Sequence, residues 1–353
     1  LDGQSPVLTL TKGSYDTHFG EMTSTTANNA NPDLKWEKTH SFSTGIETSF
    51  FNSRLMVELE YYYKKTTDAF MNKTISDING YTSYVVNSGE IVNKGYNFSV
   101  TATPIQNKNW NWLLSASLSK VINTMKTAPG EDSYTLNDYL NGTAIINGQS
   151  IGTFYSYRFI GLNPEDGGPL FDDWQDRSNE LIGLSKYETF MKVLANSGRR
   201  DPDITGSISS TLSYKNWRLG MLMDYALGNN VRLFKIFSQG TNSSTSGPGN
   251  IYPEYNLNRA LLNRWVKPGD EAYTNIPSIL GKTDLNFYKY DQHWSAGSNY
   301  KGVQIATDSY TMYDYSDIRV VNADYIRLAS LSLTYELPEK VLPKLGLQRL
   351  SIT

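Results

Sequence analysis

Gly148-Gln-Ser-Ile-Gly152 has the spacing of a nucleophile elbow, in which a strained strand-to-helix turn presents a serine for attack. The residues that follow, Thr153-Phe-Tyr-Ser-Tyr-Arg158, are aromatic and strand-like. The three histidines, His18, His40 and His293, have no triad context. The match reads as chance. Glu58 and Glu60 fall on one face of a strand pattern, roughly 6.6 Å apart along it, a separation that invites a glycosidase pair. Such a pair keeps its acid in a dry pocket, whereas these two share their face with Tyr62 and Lys64. A polar wall explains them more simply. Scattered histidines do not make a zinc site, and Asp166, Asp172 and Asp173 suit a solvated acidic loop better than a calcium site. No P-loop Lys-Ser/Thr follows the Asn-Gly and Gly-Pro clusters. The expectation is no enzyme: no catalytic residue, metal ligand or cofactor.

Aromatic residues between the patterned segments carry more functional weight. Trp174, Tyr252, Tyr255, Tyr288, Tyr290, Trp294 and Tyr300 fall in long Gly/Asn/Ser/Asp-rich connections. Flat aromatic faces bind sugar rings or peptide side chains, and neighbouring Asp and Asn supply oriented hydrogen bonds. Loop packing accounts for most of these residues. One or two of Trp174, Tyr252, Tyr288, Tyr290, Trp294 and Tyr300 are expected to touch ligand.

The elements that must position them alternate apolar and polar with a period of two. In residues 54–64, Leu55, Val57, Leu59, Tyr61 and Tyr63 fall on one face, and Glu58, Glu60, Tyr62 and Lys64 on the other. The pattern recurs at Tyr96, Phe98, Val100 and Ala102, at Trp110, Trp112, Leu114, Ala116 and Leu118, and at Trp217, Leu219, Met221, Met223, Tyr225 and Leu227. Hairpins are expected for 40–50 with 54–64 across Asn52-Ser53, and for 94–103 with 110–120 across 104–109. A third joins 206–214 to 217–227 across Lys215-Asn216, and a fourth pairs 325–337 with a strand starting near Gln348. The connections 66–93, 121–205 and 228–324 are long, with short-helix patterns at 181–194 and 255–265. Short and long gaps thus alternate, as in a transmembrane β-barrel with tight turns at one end and long loops at the other. Aromatics at strand ends (Tyr61 to Tyr63, Trp110, Trp112, Trp217, Tyr325, Tyr335) suit an interfacial girdle. A soluble β-sandwich or propeller also alternates, but spaces its turns evenly.

Composition narrows the classes further. The 353 residues are 39% hydrophobic, 13% aromatic and 19% charged, with net charge −3, so no basic footprint for nucleic acid exists. No apolar run reaches the length of a membrane helix. The absence of cysteine removes disulfides, thiol catalysis and thiolate metal sites. Leu1 begins in a polar, turn-rich stretch, and residues 348–353 resemble the start of a strand. The chain therefore reads as an internal piece of something longer.

Several stretches, in order, resemble the SusC/RagA-like family of TonB-dependent outer-membrane receptors. They are Asn31-Pro-Asp-Leu-Lys-Trp-Glu-Lys38 with Gly45, then Phe50-Phe-Asn-Ser-Arg-Leu55, Tyr61-Tyr-Tyr-Lys-Lys-Thr66 and Asn87-Ser-Gly-Glu-Ile-Val-Asn-Lys-Gly95. Asn97 stands where the family pattern leads one to expect Glu. Further on come Gly161-Leu-Asn-Pro-Glu-Asp-Gly167 with Pro169-Leu-Phe171, Arg264-Trp-Val-Lys-Pro-Gly-Asp270 with Ile276-Pro277, and Tyr325-Ile-Arg-Leu-Ala-Ser-Leu-Ser-Leu-Thr-Tyr-Glu-Leu-Pro338.

The resemblance implies an all-β fold: residues 1–353 as part of a 22-stranded, plugged, antiparallel barrel, with the plug, the N-terminal barrel strands and the last C-terminal strands outside the chain. It implies outer-membrane import of an oligosaccharide or peptide, with a SusD-like surface lipoprotein as lid. TonB–ExbB–ExbD energy would arrive through the plug. Outer-membrane lipid and a dimer of transporter complexes complete the implied surroundings. The alternatives are a siderophore or vitamin receptor without a lipoprotein lid, a soluble β-rich glycan-binding protein, and a glycan-processing enzyme.

Overall fold

The computed structural model describes residues 9–18, 20–28, 31–74, 83–127, 134–172, 178–181, 183–237, 256–280, 309–338, 347–348 and 350–353. Within them run sixteen strands: β1 (Thr9–Asp16), β2 (Glu21–Asn28), β3 (Lys38–Phe50), β4 (Leu55–Thr74), β5 (Ser83–Gln106), β6 (Trp110–Thr127), β7 (Thr153–Ser156), β8 (Phe159–Leu162), β9 (Pro169–Phe171), β10 (Ala195–Arg199), β11 (Ile204–Tyr214), β12 (Trp217–Leu227), β13 (Asn230–Arg232), β14 (Val320–Asn322), β15 (Tyr325–Glu336) and β16 (Ser351–Ile352). Helices α1 (Leu136–Asn141), α2 (Lys186–Val193) and α3 (Ser309–Asp314) lie between β6 and β15.

One antiparallel sheet of eight strands, ordered β16-β15-β12-β11-β6-β5-β4-β3, makes the wall. Its registers sort every side chain onto one of two faces. Ile46, Leu59, Phe98, Leu118, Met223 and Leu328 share one face, because Ile46 pairs with Leu59, Leu59 with Phe98, Phe98 with Leu118 and Met223 with Leu328. That face is apolar from β3 to β15. The Trp112 indole on it finds a partner inside the sheet, donating to Ser210 Oγ at 3.1 Å, which suits a hydrocarbon environment. The opposite face is a polar ladder. Ser99 Oγ donates to Glu58 Oε2, Asn97 Nδ2 to Glu60 Oε2 and Ser119 Oγ to Asn97 Oδ1, and Ser117 and Ser207 share a hydrogen bond. Asn97, the residue that departs from the family pattern, is the middle link. Further along the same face, Arg327 pairs with Asp224 at 2.8 Å.

Two bulges keep the faces unmixed. Leu222 pairs with Ser330 but Met223 with Leu328, so one residue is skipped at Ala329. Without the skip, Ile326 and Leu328 would turn onto the polar face with Ser330 and Ser332. In β5, residues 103–104 are bulged out between Ala102 and Ile105, which places Pro104 where no ladder hydrogen bond is needed. Strand β5 therefore continues to Gln106, and the expected turn over 104–109 shrinks to 107–109.

Other expected boundaries move the same way. Strands β4 and β5 extend well into the connection read as 66–93, paired from Leu55↔Ala102 to Thr74↔Ser83. Hairpin β1–β2, which the alternation did not signal, forms its own two-stranded sheet. Aromatic pairs mark the turn end of the apolar face, with Trp110 and Tyr214 at 4.3 Å and Trp217 and Tyr335 at 4.7 Å between ring centroids. Tyr61 and Tyr96, at 5.3 Å, mark the loop end. Strand β12, with 11 residues, has the length a tilted strand needs to cross the apolar core of a membrane. Tyr62 and Tyr325 do not join this girdle; their registers put them on the polar face.

Gly95 is required by a close approach. The Tyr62 ring lies across it, and a Cβ there would meet the Lys120 carbonyl oxygen at 2.0 Å and the Tyr62 hydroxyl oxygen at 2.7 Å. Gly95→Ala should therefore separate β5 from β6 and lower stability by about 1–3 kcal/mol, the cost of overpacking. Thermal unfolding in detergent micelles measures this; an unchanged midpoint would refute the register.

Candidate functional site

The long connections fold into a body of their own. Its core gathers Tyr139, Leu140, Tyr155, Tyr157, Phe171, Phe190, Val193, Ile236, Phe237, Leu261, Tyr310, Met312 and Tyr313, all from residues 139–315. The wall is a single layer with its two faces committed elsewhere, so buried apolar packing collects in the loops. Most loop aromatics among the described residues serve this packing edge-to-face, as Tyr139 does with Phe190 at 4.9 Å and Phe237 with Tyr313 at 5.5 Å. Trp174, Tyr252, Tyr255, Tyr288, Tyr290, Trp294 and Tyr300 lie outside the described residues.

Half-buried Arg232 joins the β6–β11 connection to the β12–β15 connection, and buried Arg319 braces the latter within itself. Arg232 donates from Nη1 to the Ser316 carbonyl and from Nη2 to the Tyr155 carbonyl and Ser156 Oγ, with its guanidinium beside the rings of Phe154 and Tyr315. Burial pulls Arg232 down to about 10, helped by Arg319 and opposed by Tyr315, so it remains a cation at neutral pH. Arg319 donates to the Phe234 carbonyl at 2.6 Å. Backbone bonds complete the seam: Tyr157 N to the Tyr315 carbonyl and Asp317 N to the Tyr157 carbonyl. Asp314, 2% exposed, accepts from the backbone N–H groups of Ile236 and Phe237. Burial pushes its carboxyl up to about 6, against those two hydrogen bonds and the charges of Arg319 and Lys235. Nothing in composition or spacing singled out Asp314 or either arginine; a lone charged residue among aromatics is the only trace they leave.

The motifs read in the sequence meet in this body. Gly167, at φ +70°, lies under the Trp265 ring, which a Cβ would approach to 2.4 Å. Ser278 N donates to the Gly167 carbonyl and Trp265 Nε1 to Glu271 Oε2. Elsewhere, Asn31 Nδ2 donates to the Val85 carbonyl, and the Asn87 amide spans Lys35 and Asp68, so the first motif is pinned to the rim of β4 and β5.

The body overhangs the polar face. Asn123 on that face accepts from Ile151 N at Oδ1 and donates to Asn93 Oδ1 at 2.6 Å. Ser150 Oγ donates to the Asn123 carbonyl and accepts from Arg199 Nη1, which in turn forms an ion pair with Asp203. Ser150 thus staples a turn, with a carbonyl and a guanidinium for neighbours and no base among the described residues to deprotonate it. On the wall beside Asn123, Ser41, Phe42, Ser43, Glu60, Tyr62, Lys64, Asn93, Asn97 and Val121 line a cavity of about 630 Å³. Glu58 and Glu60 are members of the polar ladder around it.

A wall with an apolar outer face, a polar inner face, tight turns at one end and a packed loop body at the other is that of an outer-membrane β-barrel. The chain belongs to the TonB dependent receptor-like, beta-barrel family, whose model matches residues 5–242. It is 25% identical to TonB-dependent receptor P3 of Formosa agariphila, over 90% of this chain and 29% of that one. It is 28% identical to TonB-dependent receptor SusC of Bacteroides thetaiotaomicron, over 77% of this chain and 28% of that one. Its fold is similar to the RagAB peptide importer in the closed-closed state, with a TM-score of 0.66 at 22% identity, over 98% of this chain and 35% of that one. The chain thus spans about a third or less of these relatives. The SusC/RagA resemblance of the motifs and the antiparallel barrel fold stand.

Arg232→Met should strip the guanidinium donor from the Tyr155 and Ser316 carbonyls and from Ser156 Oγ and cost the loop body about 3 kcal/mol. Faster amide exchange at Tyr157 and Asp317, with the wall strands unchanged, would register it. Asp314 should add a pH dependence of definite sign. Its folded pKa lies above its ordinary value, so the folded body holds a proton that the unfolded one has lost between about pH 4 and 6. Stability of the body should therefore fall as pH rises through that window and level off above it. Proteolytic susceptibility against pH checks this, and Asp314→Asn should flatten it.

Proposed function

We propose that residues 1–353 form part of the barrel of a TonB-dependent importer that takes up an oligosaccharide or peptide together with a SusD-like surface lipoprotein. The observation that carries the reading is the two-faced wall with its polar side overhung by a loop body built from two connections. A barrel open to water on the inside and roofed by packed loops can admit a hydrophilic solute and delay its passage. Similarity to SusC supports the lipoprotein partner, and similarity to the RagAB peptide importer leaves peptide beside glycan as cargo. A plug, further strands and TonB–ExbB–ExbD coupling belong to the longer protein in this proposal. The part played by this chain is to hold the membrane seal with its apolar face, to line the path with its polar face, and to offer loops to partner and cargo. The chemistry asked of it is binding, without covalent steps.

Extraction of the parent protein from native membranes tests this. A polypeptide several times longer than this chain that needs detergent for release and copurifies with a lipoprotein is the expected outcome. Uptake should cease when TonB is deleted. A detergent-requiring protein without a lipoprotein partner would favour a siderophore or vitamin receptor, and release without detergent would overturn the barrel reading.

A further inference from the structure

We propose that the wall cavity between β3, β4, β5 and β6 is a cargo subsite that binds a carboxylate group through Lys64, with the neighbouring Tyr62 ring as its floor; this rests on the transport reading. Lys64 extends from the polar face with its ammonium 5.8 Å from the centroid of the Tyr62 ring. Among the described residues no carboxylate comes within ion-pair distance of it, whereas Lys38, Lys65, Arg218 and Arg327 each have one. The other charge in the cavity is already engaged. Glu60 accepts from Asn97, whose own carbonyl oxygen is taken by Ser119. Four residues of strand also put ~13 Å between Glu60 and Lys64 at their backbones. The cavity therefore offers one uncommitted cation above an aromatic floor in a wall otherwise bonded to itself.

The Tyr62 ring is fixed rather than free to swing. It rests on Gly95, where no side chain intervenes, and this close packing holds one ring face toward the cavity. The amide of Asn93, anchored at its oxygen by Asn123, stands beside Lys64 in the register. A cation, a flat apolar face and a neighbouring amide recognise an anionic group carried on a ring or short chain. Two cargo sources bear such a carboxylate, an acidic sugar and an acidic peptide, and the test separates them.

The full-length transporter with its partner, purified in detergent, is titrated calorimetrically with oligogalacturonate and tetraglutamate, and with malto-oligosaccharide and tetraserine as neutral probes. Lys64→Gln is expected to weaken whichever acidic probe the wild type binds by about tenfold and to reduce its salt dependence. Lys64→Arg should retain most of the affinity, and neutral probes should not respond. Affinity unchanged in Lys64→Gln, or lost equally for neutral probes, overturns the subsite. So does a lower melting temperature at unchanged affinity, which would assign Lys64 to a contact with another segment of the protein. A wild type that binds only neutral probes removes the subsite and leaves the transport reading standing, whereas one that binds none of the four removes both.

Discussion

The constraint on which this structure depends is that every backbone N–H and C=O in a lipid-facing wall must be paired within the wall. An antiparallel sheet meets it only by closing into a barrel, of which the eight strands here are part, and such a sheet has no second layer to pack against. Each strand must face hydrocarbon on one side and a polar interior on the other, a difference that only a period of two can accommodate. The bulges at Ala329 and at residues 103–104 follow from the same demand. Where the sequence slips by one residue, the backbone absorbs the slip so that Ile326, Leu328 and Ile105 stay with the apolar set. Hydrogen-bonded serines and asparagines on the inner face do for the polar side what leucine and aromatic pairs do for the outer one.

A consequence is that hydrophobic burial moves to the connections. In a soluble domain the sheet would supply the core, but here the core is built from residues between β6 and β15, and Tyr139, Tyr157, Val193 and Met312 are its deepest members. The Arg232 guanidinium locks that body across its seam, while buried Arg319 and Asp314 tie the β12–β15 connection to itself. Such groups are costly to bury and costly to leave unpaired, so they define one arrangement of the two connections rather than merely adding stability. A loop body fixed in this way can hold its place over the inner face without a second sheet beneath it.

Several features were legible before the fold was known. Residues 54–64 stated their two faces outright, and Asn52-Ser53 and Lys215-Asn216 fell where turns were expected; the turn expected before residue 348 lies outside the described residues. The polar-wall reading of Glu58 and Glu60 matches their partners Ser99 and Asn97. Strand lengths were less legible. Beyond residue 66 the alternation of β4 is interrupted by a register shift, with Asp68 at φ +59°, so a period-two reading loses the strand there although pairing resumes. Tyr62 and Tyr325 illustrate a different limit: an aromatic near a strand end looks the same from either face until the register is known. The contacts of Arg232, Asp314 and Arg319 were invisible, since their partners are mostly backbone atoms up to 85 residues away.

By itself the sequence determined the class of wall, because alternation is a local property in which each residue's type must agree with that of its neighbour two positions on. It also determined the tight turns, whose chemistry is contained within a few residues. The tertiary structure decided what requires distance. It brought Gly167 beneath Trp265, set Asn123 to hold both Asn93 and the turn at Ser150, and left Lys64 facing inward over the Tyr62 ring without a carboxylate partner among the described residues while its neighbour Lys65 pairs with Glu90. These relations depend on which strand lies beside which and in what register. That outcome is settled by the summed pairing of the whole sheet, and no single stretch of chain contains it.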